Sequence, residues 1–110
     1  MTEKKFEEIV KKTLNQIKET LIIKGREYRR NNNPFHNFDV GSLKTGILRE
    51  KVLDGFMLKH EISIDDIVND IVLGKLPTKE MVEEKFGDIL IYTIIKKASI
   101  LDRIENNKNN

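Results

Sequence analysis

The stretch EEKFGDILIY, residues 83–92, is the part of the sequence from which a helical bundle is predicted. Two of its three acids, Glu84 and Asp88, stand four residues apart among apolar side chains. In an α-helix that spacing places both carboxylates on one face, and Tyr92 continues the same row. A carboxylate beside a buried surface costs free energy unless it meets a cation, a metal or a hydrogen-bond donor. The stretch therefore predicts a polar site within a helical bundle; the alternative is an exposed helix edge that carries two acids.

The first helix of this bundle is expected to be long. Apolar residues recur at three- and four-residue steps from about Glu3 to Tyr28, with lysines and glutamates between them. The sequence NNNP at residues 31–34 predicts the end of this helix, because the residue before proline avoids α geometry. A short helical turn is expected near residues 40–44, and two separate helices over 48–60 and 64–74. Ser63 is the predicted start of the second of these, and Gly74 its predicted stop.

The last helix is expected to run from about Lys79 to Ile104, with Thr78 as its N-cap. No strand pattern is strong enough to defend, so the expected fold class is all-α, a helical bundle with long first and last helices. We expect a single domain over residues 1–105 and a disordered polar tail over residues 106–110. The long apolar stripes of a small domain also predict self-association into a homodimer or a higher oligomer.

Composition narrows the classes of function. Lysine and arginine number 20 against 18 aspartates and glutamates, and the two signs are interspersed, which argues against binding to a nucleic-acid polymer as the main task. No run approaches the roughly 20 apolar residues that span a membrane. The chain has no cysteine, so it offers neither a disulfide nor a thiolate metal site, and we expect a cytoplasmic protein. The basic cluster KGREYRR, residues 24–30, is suited to hold phosphates or to form a solvated helix end.

A loop with two aromatic residues, NPFHNF at residues 33–38, is a candidate ligand-binding segment. Phe35 and Phe38 are suited to stack on a base while Asn33 and Asn37 bond its edge. The alternative is that both phenylalanines close the end of the bundle and the asparagines cap turns.

The acidic row has the spacing to ligate Mg²⁺, a cation that takes oxygen ligands and keeps several waters. Glu84 and Asp88 alone are too few to hold it without substrate phosphates, and Glu27 is the third candidate ligand. His36 and His60 lack a partner at metal-ligand spacing, so zinc is not expected. A lone histidine on an apolar helix is more often a structural residue than a functional one.

The order of these positions resembles a known group of proteins. Lys24 and Tyr28 come first, then residues 33–38, then MLKH at residues 57–60, then residues 84–92. This order is similar to that of small phage and prophage proteins related to the nucleotide-modification-associated domain family, a branch near the MazG-like all-α nucleotide pyrophosphohydrolases. The likeness spans residues 15–105 as dispersed positions. It implies a dimeric helical bundle that binds a nucleotide phosphate through a metal or basic residues.

The chain departs from that pattern in its acids. MazG-like enzymes bring acid pairs from two helices, whereas here Lys85 lies three residues before Asp88, and Glu27 has no acid three residues away. Where the nucleotide-modification relatives carry an Asp-Lys pair, this chain carries Lys59 and His60. The acids needed to seat Mg²⁺ and activate water are therefore incomplete, and we expect binding of phosphates rather than their cleavage.

The expected function is capture of a phosphorylated nucleotide, free, modified or signalling, by a phage-type protein that antagonises host defence. A Mg²⁺-dependent nucleoside triphosphate pyrophosphohydrolase and a helical protein-interaction module are the alternatives. Metal-dependent turnover separates the first two, and tight nucleotide binding counts against the third. The candidate ligand-binding residues are Lys24, Arg26, Glu27, Tyr28, Asn33, Phe35, Asn37, Phe38, Lys59, His60, Glu84, Asp88 and Tyr92, of which Lys24, Arg26, Lys59 and His60 form the expected positive lining.

Overall fold

The fold is taken from a computed structural model, which describes residues 1–25, 29–30 and 32–108. The chain divides into two compact units, Met1–Asn33 and Pro34–Asn110. All regular structure in the described residues is helical, apart from an isolated bridge between Arg30 and Asn33. The predicted all-α class is therefore confirmed, while the single domain over residues 1–105 stays a prediction.

The first unit contains helix α1, Glu3–Lys18, which continues as a π-helix over Glu19–Lys24. Thr2 is the N-cap of α1, because its side chain accepts a hydrogen bond from the backbone N–H of Lys5 at 3.1 Å. The sequence predicted one uniform helix here. The change of geometry coincides with three β-branched residues, Thr20, Ile22 and Ile23, whose side chains crowd the preceding turn of an α-helix.

The second unit contains three helices: α2, His36–Thr45; α3, Arg49–Val72; and α4, Lys79–Lys108. Ion pairs from Glu50 to Arg103 and from Asp54 to Lys96 show that α3 and α4 pack antiparallel. Helix α2 packs on α3 at Gly41, where an added Cβ would lie 2.9 Å from a methyl carbon of Val52. Only a glycine lets the two helices come this close.

Helix α3 is one continuous helix, so the predicted break between residues 60 and 64 was wrong. Ser63 is not an N-cap, because its hydroxyl donates to the carbonyl of Lys59 at 3.1 Å inside the helix. No glycine or proline lies between Gly55 and Gly74 to end the helix earlier. The predicted stop at Gly74 is confirmed: its φ is +86°, and the amides of Gly74 and Lys75 bond the carbonyls of Ile71 and Asp70 in a Schellman motif.

Helix α4 begins as predicted at Thr78, whose hydroxyl accepts a hydrogen bond from the N–H of Met81 at 3.2 Å. It extends to Lys108 rather than ending near Ile104, so the tail expected from residue 106 is helical as far as residue 108. No glycine or proline follows Gly87 to stop the helix earlier. Residues 109–110 lie outside the described part of the chain.

The apolar core of the described residues is small. The buried apolar side chains are Ile17, Phe38, Leu53 and Ile67, whereas every helix leaves large apolar side chains in contact with water. Exposed apolar surface on this scale is typical of a protein that packs against something else. Across the described residues, no helix has both the length and the apolar character to cross a membrane.

Candidate functional site

One group of candidate residues meets between the helices of the second unit. We call it the aromatic cluster: Phe38 from α2, Phe56 and His60 from α3, and Asp88 and Tyr92 from α4. On α3 and on α4 the two members stand four residues apart, so each pair shares a helix face. The antiparallel packing of α3 and α4 brings the two faces together. Sequence reasoning missed Phe56, although its spacing from His60 matches that of Asp88 from Tyr92.

Tyr92 is the centre of the cluster. Its ring stacks on His60 with centroids 5.2 Å apart and on Phe56 at 6.0 Å. Phe38 meets Phe56 and Tyr92 edge-on, at 5.5 Å and 6.3 Å. Phe38 is buried, which favours the packing alternative for this residue, whereas Phe56 remains 46% exposed. Phe56 is therefore the aromatic side chain of the cluster that keeps a large share of its surface in contact with water.

His60 and Asp88 form the polar edge of the cluster. The imidazole Nδ1 lies 3.5 Å from a carboxylate oxygen of Asp88, yet this buried nitrogen has no hydrogen-bond partner in the described part of the chain. Buried polar atoms of native proteins are nearly always hydrogen-bonded, so an exception requires an explanation. Burial raises the pKa of the Tyr92 hydroxyl, and the negative charge of Asp88 raises it further.

The two acids of the predicted row have different surroundings. Asp88 is half-buried beside His60, whereas Glu84 is exposed, one turn earlier on α4. No group of three or more His, Cys, Asp or Glu side chains with metal-binding geometry occurs in the residues that the structure describes. Glu27, the third candidate ligand, lies outside those residues, so the Mg²⁺ site stays a prediction.

The other predicted site residues are dispersed. Lys59 is exposed on α3, and Asn37 is exposed in the first turn of α2. Asn33 belongs to the first unit, where its N–H donates to the carbonyl of Arg30 at 2.9 Å. The side chain of Lys24 lies outside the described part, as do the whole of Arg26, Glu27 and Tyr28.

Arg49, which sequence reasoning missed, ties the three helices of the second unit together. Its guanidinium is only 11% exposed and donates to the Ser99 hydroxyl at 2.7 Å, the Ser99 carbonyl at 3.1 Å, Asp102 at 3.1 Å and Asp39 at 3.2 Å. The Phe35 ring lies under this cation, 4.2 Å away. The sequence analysis expected a base to stack on Phe35, whereas in the structure the guanidinium of Arg49 occupies one face of this ring. Because all three guanidinium nitrogens of Arg49 donate hydrogen bonds to groups of the protein, we assign this residue a structural role.

Two further ion pairs clamp α3 to α4. Arg103 donates to both carboxylate oxygens of buried Glu50, and this hydrogen bonding holds the pKa of Glu50 below its ordinary value. Lys96 pairs with Asp54 and likewise lowers the pKa of that carboxyl. An open depression of about 550 Å³ lies beside these contacts, lined by Arg49, Asp102, Arg103, Ile104, Asn106 and Asn107. Both of its arginines already bind carboxylates, so the aromatic cluster is the stronger candidate site.

Comparison with known proteins returned no match to this chain, whether among protein-family models, curated proteins or solved structures. What the protein binds must therefore be inferred from its own side chains.

Proposed function

We propose that this protein captures a phosphorylated nucleotide at the aromatic cluster and does not hydrolyse it. The observation that carries this proposal is the buried His60 Nδ1, which lacks a hydrogen-bond partner beside a carboxylate and a stacked tyrosine. An unsatisfied buried nitrogen costs about 1–3 kcal/mol. A ligand that draws the Asp88 carboxylate toward Nδ1 would recover that free energy, because the two atoms already lie 3.5 Å apart and the nitrogen itself is buried.

The aromatic faces of the cluster suit a planar base. Phe56 is supported from behind by Tyr92 and from the side by Phe38, and it keeps part of its ring exposed. Stacking of a base on an aromatic side chain contributes about 1–3 kcal/mol. A ring held by its neighbours loses little conformational entropy when the base binds.

The polar edge of the cluster suits the edge of the base rather than the phosphates. Asp88 carries a negative charge, so it would repel a phosphate but accept a hydrogen bond from an exocyclic amine. Lys59, which is exposed and adjoins His60 in the sequence, is the cation that we assign to the phosphates. Nucleotides of adenine, guanine or cytosine, which carry an amine, should therefore bind more tightly than those of uracil or thymine.

We propose that the protein does not hydrolyse the nucleotide, because cleavage of a phosphate needs metal ligands and a base for the attacking water. Lys85 stands where an acid would be needed, and the described residues contain no group of three or more His, Cys, Asp or Glu side chains that could hold a metal ion. The resemblance to small phage proteins adds the proposal that the captured nucleotide is a modified or signalling nucleotide of host defence.

We also propose that the protein acts as a self-associated bundle. The exposed apolar side chains of α1, α3 and α4 support this, because water-exposed apolar area is stabilised by burial at about 25 cal/mol per Å². The same surface supports the second candidate function, a helical module that binds other proteins.

Isothermal titration calorimetry with a panel of ribo- and deoxynucleotides tests the capture function. Asp88→Asn keeps the shape of the side chain and should weaken binding about tenfold or more, because a bond to a charged group is lost. Glu105→Gln, the matched control, removes an equal charge from an exposed position of α4 and should leave affinity unchanged. If no nucleotide binds the unmodified protein, capture is wrong; metal-dependent release of pyrophosphate would favour the hydrolase alternative.

A further inference from the structure

Arg49 contacts the first turn of α2 at two positions. The Cζ atom of its guanidinium lies 4.2 Å from the centre of the Phe35 ring, and Nη1 donates to the Asp39 carboxylate at 3.2 Å. Phe35 and Asp39 stand four residues apart, so they share one face of this turn. Phe38, a member of the aromatic cluster, lies in the same turn, and its N–H donates to the Phe35 carbonyl at 3.0 Å. A residue that fixes this turn therefore also fixes where the Phe38 ring lies.

The same guanidinium binds helix α4. It donates to the hydroxyl and the carbonyl of Ser99 at 2.7 Å and 3.1 Å, and to the Asp102 carboxylate at 3.1 Å. Loss of a partner is costly for a mostly buried charge, so Arg49 holds these acceptors together. Because the guanidinium is planar and presents its donors in a fixed fork, it sets the positions of acceptors on α2 and α4 relative to each other. We call these contacts of Arg49 with α2 and α4 the Arg49 bridge.

The edge-on ring contacts of the aromatic cluster depend on the position of α2. Phe38 is the member that α2 contributes, and it meets Phe56 of α3 at 5.5 Å and Tyr92 of α4 at 6.3 Å. Edge-on packing is a geometry that aromatic pairs prefer. A shift of α2 relative to α4 would move the Phe38 ring away from both partners, and Phe56 would then lose the support on its side.

We propose that Arg49 is a positioning residue for nucleotide capture, because the Arg49 bridge holds Phe38 against Phe56. This inference rests on the proposed capture function and adds a residue outside the aromatic cluster that sets the geometry of the cluster. A Phe56 ring that Phe38 supports is already ordered before a base stacks on it, whereas a ring that must become ordered on binding lowers affinity. Arg49 therefore acts on the ligand through Phe38 and does not touch it.

Asp102→Asn, made in the full chain, tests the Arg49 bridge at a distance from the aromatic cluster. Asp102 lies ten residues from Tyr92, about 15 Å along α4. The substitution removes the charge of the carboxylate and so weakens the hold of Arg49 on α4. Nucleotide affinity, measured by calorimetry, should fall about threefold to tenfold, the range for one side chain that must be ordered on binding. The NMR signals of the Phe38 ring protons, which the ring currents of Phe56 and Tyr92 displace, should move toward their random-coil positions.

Asp54→Asn is the matched control. The Asp54 side chain is 41% exposed and that of Asp102 is 39% exposed, and the ion pair of Asp54 with Lys96 joins α3 to α4 rather than to α2. Asp54→Asn should therefore keep the affinity and the Phe38 signals of the unmodified protein, even where urea unfolding shows an equal loss of stability. Arg49→Lys, which keeps the charge but not the fork of donors, should weaken binding more than Asp102→Asn does.

The outcomes distinguish this inference from the proposed function. Equal changes in Asp102→Asn and Asp54→Asn would overturn it, because a general loosening of α3 and α4 would then explain both. Phe38 signals that stay in place in Asp102→Asn, or that move while affinity stays constant, would overturn it as well. If no nucleotide binds the unmodified protein, capture is wrong, and the Phe38 signals alone then decide whether Arg49 holds this ring in place.

Discussion

His60 on α3 and Tyr92 on α4 stack with ring centroids 5.2 Å apart and ring planes 23° apart. The stacking places one imidazole nitrogen in the interior, 3.5 Å from a carboxylate oxygen of Asp88 but without a hydrogen bond in the described residues. A phenylalanine would satisfy the stacking equally well. Stacking alone therefore does not account for an imidazole at this position.

We expect His60→Phe to lower nucleotide affinity without lowering the stability of the fold. The variant keeps an aromatic ring against Tyr92 and removes the unpaired nitrogen, so unfolding in urea should show unchanged stability or a gain of up to about 1 kcal/mol. Nucleotide affinity, measured by calorimetry on the same sample, should fall about tenfold or more because Asp88, the group proposed to bind the base, loses the imidazole that lies beside it. A large loss of stability would mean that the imidazole is structural.

Replacing Lys59 should weaken nucleotide binding, because the contact proposed between its ammonium group and the phosphates is lost. A charge-assisted contact is worth about 1.5–3 kcal/mol, so Lys59→Ala should lower affinity roughly tenfold to a hundredfold. Affinity of the unmodified protein should fall as salt rises, because the lysine is exposed. Lys51→Ala, an exposed lysine on the same helix, is the matched control. Equal effects of the two substitutions would contradict a specific role for Lys59.

The Ser99 hydroxyl should matter far more for stability than the Ser63 hydroxyl. Ser99 is fully buried and accepts a hydrogen bond from Arg49 at 2.7 Å, so Ser99→Ala leaves a buried guanidinium donor unpaired. The expected loss in the free energy of unfolding is about 1–3 kcal/mol. Ser63→Ala, in which a hydroxyl bonded only to its own helix is removed, should change stability by less than about 0.5 kcal/mol.

Stability should depend on the ionisation of Glu50 at acidic pH. The hydrogen bond from Arg103 lowers the pKa of this carboxyl in the folded protein from an ordinary value of 4.5. A carboxyl with a lowered folded pKa contributes stability above its unfolded pKa, and that contribution is lost as the pH falls through the folded pKa. Urea unfolding midpoints measured at a series of pH values should therefore fall less steeply with acid in Glu50→Gln. Glu105→Gln should keep the slope of the unmodified protein.

Two helical glycines should respond oppositely to alanine. A Cβ at Gly41 would lie 2.9 Å from a Val52 methyl carbon, so Gly41→Ala should push α2 from α3 and cost about 1–3 kcal/mol. A Cβ at Gly55 meets nothing within 4 Å, so Gly55→Ala should stabilise α3 by about 0.5–1 kcal/mol. Thermal unfolding followed by circular dichroism measures both. A stabilised Gly41→Ala variant would show that the two helices can separate freely.

The features that could be predicted from the sequence are those that depend on neighbouring residues. Thr78 caps α4 and Gly74 ends α3 because each acts within one turn of its own helix. The prediction for Ser63 was wrong because the sequence does not distinguish a serine that caps a helix from one whose hydroxyl bonds a carbonyl inside a helix.

The missed contacts depend on pairing between distant segments. Arg49 and Ser99 are fifty residues apart, and nothing local marks a serine in an apolar helix as the acceptor for an arginine. The Glu84 and Asp88 row was visible from spacing, but its unequal exposure depends on α3, because His60 of that helix lies beside Asp88. Spacing indicates which residues share a face, while the packing partner decides which of them are buried.

The unbroken course of α3 has a mechanical consequence. A break near residue 62 would have acted as a hinge, letting Val72 tilt while His60 stayed fixed. Because one backbone ladder runs from Arg49 to Val72, the two positions belong to one rigid rod, about 18 Å apart at 1.5 Å per residue. A force that turns one end of the rod turns the other end through the same angle. A molecule that binds at Val72 therefore acts on His60 through the helix backbone and not through a change of angle between two separate helices.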